Sequence, residues 1–230
     1  MAEGLWVQRT VTLDPEPPGE RRGVAPWGEG TGKALSLASV GDSLIAGCGV
    51  ADQSEALTPR IARHLAEQCG APVQWQAHGQ LGATMRRVRY RLLPEAAESA
   101  RGADVLFVCA GSNDVMAGRT GEEWADDLEA VLDAARGLVG RIVVCSAGQP
   151  SRSPAVPHLL REELRHRIDA QTAMSRQICA ERGVDYVDVA HADLCEGFWA
   201  GDRFHPSAAG YELAARLVAA AMSGEAPVAA

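Results

Sequence analysis

The positions of apolar residues along the chain follow two different periods. Five short apolar runs are typical of buried strands, and between them apolar residues recur every three or four positions, as on one face of a helix. Leu57, Ile61 and Leu65, for example, share one helical face. The pattern predicts strands over residues 34–40, 73–77, 103–110, 141–146 and 184–189, and helices over 55–68, 84–93, 121–138, 159–182 and 207–222.

Buried strands that alternate with helices predict a mainly parallel five-stranded sheet covered on both faces. Right-handed crossovers then give a three-layer α/β/α sandwich, which we expect to span residues 34–222. Residues 1–33 differ, because a short strand predicted over 5–13 is followed by proline-rich and glycine-rich runs. We expect an arm that lies on the domain or on a partner subunit, with a disordered tail as the alternative. A small tail, residues 223–230, ends the chain.

Composition and charge exclude several classes of function. The 230 residues are 47% hydrophobic and 23% charged, as in ordinary globular proteins, and the net charge of −8 comes without a basic stripe that would favour nucleic acid. The six cysteines form no Cys-x-x-Cys pair and no zinc-ligand spacing, so neither a disulfide framework nor a zinc site is predicted. With no signal-like or membrane-spanning segment in the pattern, we expect a cytoplasmic protein that does not bind membranes.

Polar residues and glycines follow four of the predicted strands. Ser43 comes after the first strand, Gly82 after the second and Asn113 after the third, while Asp202 and His205 come after the fifth. Because the carboxyl ends of parallel strands lie along one edge of the sheet, residues far apart in sequence can meet in one cleft there.

These residue types, in this order, provide the parts of a serine hydrolase. Ser43 is the candidate nucleophile, His205 the base that accepts its proton, and Asp202 the carboxylate that orients the histidine. The backbone N–H groups of Ser43 and Gly82 and the side-chain amide of Asn113 are candidate donors to an oxyanion. Taken singly, Ser43 also fits a helix cap, and Gly82 and Asn113 fit turns; only their combination favours catalysis.

The combination resembles the ordered sequence blocks of the GDSL/SGNH hydrolases, over roughly residues 34–222. The matching segments are Gly41-Asp42-Ser43-Leu44, Leu81-Gly82-Ala83-Thr84, Gly111-Ser112-Asn113-Asp114 and Asp202-Arg203-Phe204-His205. The resemblance implies a flavodoxin-like fold and assigns the catalytic triad to Ser43, Asp202 and His205, with Ser43, Gly82 and Asn113 as the oxyanion hole. Ile45 stands where the Gly-x-Ser-x-Gly elbow of α/β-hydrolases has its second glycine, which argues against that elbow.

The sequence therefore predicts an esterase that cleaves small carboxylic esters or thioesters through an acyl-enzyme, with no metal or organic cofactor. An acyltransferase or cyclase that uses the same acyl-enzyme is the alternative, and a non-catalytic flavodoxin-like binding module is a weaker one. Specificity should come from the loops at residues 46–54, 116–121, 147–157 and 195–201. Phe198 and Trp199 are either an apolar wall of the site or part of the core. A homodimer formed through the arm is a further expectation.

Overall fold

The structure, a computed structural model, describes residues 12–28 and 33–224, so most of the strand predicted over 5–13 lies outside the described residues. The strands are β1 (Arg22–Ala25), β2 (Leu35–Gly41), β3 (Val73–Gly79), β4 (Val105–Cys109), β5 (Arg141–Cys145) and β6 (Asp185–Val187). The α-helices are α1 (Ser43–Ala46), α2 (Leu57–Cys69), α3 (Met85–Arg87), α4 (Leu93–Ala100), α5 (Ser112–Ala117), α6 (Gly121–Ala135), α7 (His158–Glu181) and α8 (Ala208–Ser223). Short 3₁₀ turns lie at Gln53–Glu55 and Pro150–Arg152.

Within the described residues, the strands form one sheet in the order β1-β3-β2-β4-β5-β6, in which only β1 is antiparallel to its neighbour. The predicted three-layer α/β/α architecture is confirmed. The prediction of five strands is wrong, because β1 adds a sixth at the edge, within the region that the sequence assigned to the arm. Only Ala25 of its four residues is buried, so the strand has no apolar run by which the pattern could reveal it.

Alternate residues of the central strands enter two separate cores, one on each face of the sheet. Val40 and Val108 pack with α4, α6 and α7 on one face, whereas Phe107 and Val143 pack with α2 and α8 on the other. This division follows from the period of two in a strand, and it explains why both faces of these strands are apolar.

The helix predicted over 84–93 does not end near Pro94. The chain passes from α3 through a π-helical turn, Val88–Leu92, directly into α4. Pro94 lies in the first turn of α4, where a missing backbone N–H costs little, so the proline is accommodated rather than ending the helix. Apart from the strand predicted over 5–13, the other predicted elements are all present, with ends shifted by three residues or fewer. Within the described ranges, no helix has both the length and the apolar character that crossing a membrane requires.

Candidate active site

Ser43 is the first residue of α1, immediately beyond the carboxyl end of β2. The side chain of Asp42 caps this helix by accepting a hydrogen bond from the backbone N–H of Leu44 at 3.0 Å. The strand can turn here only because residue 41 is glycine: a Cβ atom at Gly41 would lie 1.9 Å from the carbonyl oxygen of Cys109. The turn brings Ser43, only 7% exposed, to the wall of a cavity at the sheet edge.

Asp42 is buried beneath this turn, and its environment opposes ionisation. Burial raises the pKa of its carboxyl group to about 7, although the hydrogen bond from Leu44 and the nearby His205 act in the opposite direction. The side chain caps α1 and is not among the residues that line the cavity, so its contacts are those of a structural residue.

Asp202 and His205 form a buried pair within a single tight turn. Nδ1 of His205 lies 2.6 Å from Oδ2 of Asp202, whose side chain has no exposed surface. Oδ1 of Asp202 accepts hydrogen bonds from the backbone N–H groups of Phe204 and His205 at 2.8 and 2.9 Å. Arg203, with a φ of 60°, adopts the left-handed conformation that closes this turn.

The hydrogen bonds to Asp202 outweigh the effect of its burial. Burial alone would raise the pKa of this carboxyl, but the bonds from the His205 ring and from three backbone N–H groups hold the pKa well below its usual value. Asp202 is therefore a carboxylate at neutral pH and can stabilise a positive charge on His205.

The second ring nitrogen of His205 remains available for chemistry. Its Nε2 is buried and, within the described part of the chain, has no hydrogen-bond partner. His205 lines the same cavity as Ser43, although in this conformation the serine hydroxyl is not bonded to Nε2. Such bonds are often long in unliganded hydrolases and shorten when substrate is bound.

Gly82 and Asn113 also line the cavity. Gly82 has a φ of 77°, a conformation that favours glycine. Asn113 lies in the first turn of α5, and its Nδ2 donates a hydrogen bond to the carbonyl oxygen of Ala83 at 2.9 Å. The structure thus brings Ser43, Gly82, Asn113 and His205 to one cavity, with Asp202 directly behind the histidine.

The cavity has a volume of about 530 Å³ and is mostly apolar. Three of the four predicted specificity loops contribute to its wall, whereas the residues of the loop at 46–54 do not line it. Phe198 and Trp199 line the cavity and pack edge-to-face, with ring centroids 4.8 Å apart. Of the two interpretations of this pair, their position supports the apolar wall of the site.

Sequence reasoning missed a large part of the apolar lining. Leu160 and Leu164 of α7 and Leu217 of α8 face the cavity, and Leu13 reaches it from the amino-terminal segment. The helical leucines follow the same 3.6-residue period as core positions, so no signal in the sequence could separate them from the core. Leu13 stands in a proline-rich segment without any period.

Two clusters of polar residues near the site, one around Asp114 and one around His191, are bonded to other groups of the protein. Asp114 is buried, accepts a hydrogen bond from the backbone N–H of Met85 at 2.9 Å and pairs with Arg119 at 2.9 Å, which joins α5 to α3. His191 lies between Asp188 and Asp169, at 2.8 and 3.0 Å. Among the described residues, no three His, Cys, Asp or Glu side chains converge in a way that could hold a metal ion.

Comparison with known proteins places this site in a family. The model of the GDSL-like Lipase/Acylhydrolase family matches residues 39–213, a segment that contains Ser43, Gly82, Asn113, Asp202 and His205. The chain belongs to this family. The predicted family is thereby confirmed, and with it the prediction of a hydrolase that acts on esters. A comparison of the sequence with curated proteins found no match.

Solved structures share the fold of this GDSL-family hydrolase at low sequence identity. A lipase/acylhydrolase from Enterococcus faecalis is 20% identical, with a TM-score of 0.60, over 85% of this chain and 100% of that one. An acetylxylan esterase from Geobacillus stearothermophilus, solved as a catalytic mutant, is 18% identical, with a TM-score of 0.62, over 85% and 97%. An α/β hydrolase from the metagenome of Lake Arreo, Spain, is 19% identical, with a TM-score of 0.63, over 83% and 95%.

Proposed function

We propose that this GDSL-family hydrolase cleaves carboxylic esters or thioesters through an acyl-enzyme on Ser43. The observation that carries the proposal is the buried pair of Asp202 and His205, 2.6 Å apart, whose histidine shares a cavity with Ser43. A carboxylate bound to Nδ1 fixes the ring with its proton on that nitrogen and leaves Nε2 as the base.

In the proposed reaction, Oγ of Ser43 attacks the carbonyl carbon of the substrate while Nε2 of His205 accepts the serine proton. The tetrahedral intermediate collapses when His205 returns that proton to the departing alcohol or thiol, which leaves the acyl group on Ser43. Water then attacks the acyl-enzyme with His205 again as base, and His205 returns the proton to Oγ of Ser43 as the carboxylic acid is released. Asp202 remains ionised throughout and stabilises the imidazolium.

The oxyanion of each intermediate would be held by three donors: the backbone N–H groups of Ser43 and Gly82 and the side-chain amide of Asn113. Their positions on the wall of one cavity support this assignment. One N–H of the Asn113 amide is already bonded to Ala83, which fixes the side chain and leaves the second N–H for substrate.

The lining of the cavity favours an apolar group on the substrate. Leu44, Met116, Leu160, Leu164 and Leu217 all contribute apolar surface. Burial of each methylene of an acyl chain in such surroundings is worth about 0.8 kcal/mol. We therefore expect kcat/KM to rise from acetyl to medium-chain esters and to be low for sugar acetates.

The proposal is tested by labelling the protein with a fluorophosphonate, which reacts only with an activated serine, and by locating the adduct by peptide mass spectrometry. Wild type should be modified at Ser43 and should hydrolyse p-nitrophenyl esters, whereas Ser43→Ala should do neither. Ser39, a buried serine of β2 outside the cavity, is the matched control, and Ser39→Ala should retain both activities. Equal turnover by Ser43→Ala would exclude the mechanism.

A further inference from the structure

The amino-terminal segment ahead of β1 approaches the catalytic pair. Residues 13–18, here called the N-terminal strap, run along the edge of the sheet at which the cavity opens, and Leu13 lines that cavity. The strap precedes the part of the chain that the family model matches, which begins at residue 39. The strap therefore reaches the site from outside the four sequence blocks.

The first contact is to the acid of the catalytic pair. The backbone N–H of Asp14 donates a hydrogen bond to Oδ2 of Asp202 at 3.0 Å. The same oxygen lies 2.6 Å from Nδ1 of His205. The strap thus contacts Oδ2 of Asp202, the oxygen atom that orients the imidazole. The backbone N–H groups of the turn around Asp202 bind Oδ1 instead, so the strap supplies a donor to Oδ2 that the turn does not provide.

The second contact is to the loop that follows β3. Oε1 of Glu16 accepts a hydrogen bond from the backbone N–H of Leu81 at 2.7 Å, next to Gly82 on the cavity wall. Oε2 of Glu16 pairs with Arg21 at 2.6 Å, and Arg21 also donates to the carbonyl oxygen of Gly79 at 2.7 Å. The Glu16 carboxylate therefore ties the strap to both ends of the segment that leads from β3 to Gly82, directly at Leu81 and through Arg21 at Gly79.

The strap is itself held in place. Gln53, which is buried, donates from its backbone N–H to the carbonyl oxygen of Pro18 at 2.9 Å and from Nε2 to that of Pro17 at 3.2 Å. Three of the six residues of the strap are proline, which limits the conformations lost on docking. A segment fixed in this way can hold neighbouring groups to the narrow geometry that catalysis requires.

We propose that the N-terminal strap is a positioning element of the hydrolase site, in which Glu16 holds the Leu81-Gly82 loop and the Asp14 amide holds Asp202. The inference rests on the proposed function, because it assigns the strap a role in the same acyl-enzyme chemistry. Neither group touches the reacting atoms. Both act through residues that do, so their loss should lower kcat much more than it raises KM.

Glu16 is tested with a set of substitutions in the full chain. Glu16→Ala removes the acceptor of Leu81, and Glu16→Asp keeps the charge but is one methylene too short to reach both Leu81 and Arg21. Both should lower kcat by about 10- to 100-fold. Glu16→Gln keeps one acceptor oxygen for Leu81 but turns a donor NH2 group towards Arg21, so its kcat should fall between those of Glu16→Ala and wild type. Glu20→Gln, at an exposed carboxylate near the strap, is the control and should match wild type.

Asp14 is tested by comparing Asp14→Pro, which removes the backbone N–H, with Asp14→Ala, which keeps it. Loss of this donor leaves Oδ2 of Asp202 less firmly fixed against Nδ1 of His205. The kcat should then fall, with KM nearly unchanged, in Asp14→Pro only. Thermal unfolding of every variant separates this result from a loss of fold, and if Glu16→Ala does not fold, Glu16→Asp and Glu16→Gln decide.

The proposal is overturned if folded Glu16→Ala and Glu16→Asp retain the kcat of Glu20→Gln, or if folded Asp14→Pro and Asp14→Ala have the same kcat. Fluorophosphonate labelling distinguishes this failure from failure of the proposed function. A wild-type protein labelled at Ser43, together with fully active Glu16 variants, contradicts only the role of the strap. A wild-type protein that is not labelled at Ser43 contradicts the proposed function itself.

Discussion

Asn113 donates a hydrogen bond from Nδ2 to the carbonyl oxygen of Ala83 at 2.9 Å, across the gap between the loops that follow β3 and β4. Ala83 is the residue after Gly82, so this bond sets the distance between two of the three proposed oxyanion donors. The geometry of the proposed oxyanion hole therefore depends on a side chain that holds the neighbouring loop and, in the proposed reaction, also donates to the oxyanion.

Replacement of Asn113 by alanine should lower kcat by about 100-fold or more, because it removes one oxyanion donor and also releases Ala83. KM should change little, since the lost interaction is strongest in the transition state. Steady-state kinetics on a p-nitrophenyl ester measure both constants. A loss confined to KM would show that Asn113 binds substrate rather than the oxyanion.

Asp202→Asn should lower kcat by about 10³- to 10⁴-fold. The amide can donate to Nδ1 of His205, which would place the ring proton on Nε2 and remove the base. Because Asn113 and Gly82 are untouched, substrate binding should persist. Near-normal turnover by Asp202→Asn would indicate that His205 works without a carboxylate partner.

The buried carboxyl of Asp42 should make stability depend on pH. The pKa of this group is about 7 in the folded protein, against an ordinary value of 3.8 in the unfolded chain, so the native state binds the extra proton between these limits. The stabilising contribution is complete below pH 4 and is lost as pH rises towards 7. Asp42→Asn should leave stability at pH 4 almost unchanged and should raise it at pH 8 by up to about 4 kcal/mol. Urea unfolding of both proteins at the two pH values measures the difference, and a constant difference would contradict this account.

A bulky residue at position 160 should shorten the acyl chains that the enzyme accepts. Leu160 lines the cavity, whereas its neighbour Leu159 is 89% exposed and does not. Leu160→Trp should shift the chain-length optimum of kcat/KM to shorter esters, and Leu159→Trp should leave it unchanged. If the two variants gave the same profile, the acyl group would have to lie in another part of the cavity.

The sequence was sufficient to predict the strands that have two apolar faces and the residues that meet at their carboxyl ends. It predicted the proximity of Asp202 and His205 because three residues span one turn, and the proximity of Ser43 to them because parallel strands end on the same side of a sheet. These are consequences of local spacing and topology, which a single sequence contains.

Other features depend on contacts that have no periodic signal. The edge strand β1 has one buried residue, which is too few for an apolar pattern. Pro94 is typical of the end of a helix, and the π-helical turn that precedes it has no signal in the sequence. Glu16 and Leu13 stand in a proline-rich segment that resembles a linker, and their contacts with the site depend on how that segment docks ahead of β1. Long-range docking of an irregular segment is decided by tertiary packing, which composition does not encode.

The edge position of β1 has a consequence for how heat should inactivate this protein. An outermost strand of four residues, bonded to β3 on one side only, opens at a smaller free energy than the central strands. Because the N-terminal strap enters β1 through Arg21, opening of β1 together with the strap would release Asp14 and Glu16 while the central strands stay paired. Catalysis would then fail below the temperature at which the protein unfolds, and it would return on cooling, since only β1 and the strap have to dock again.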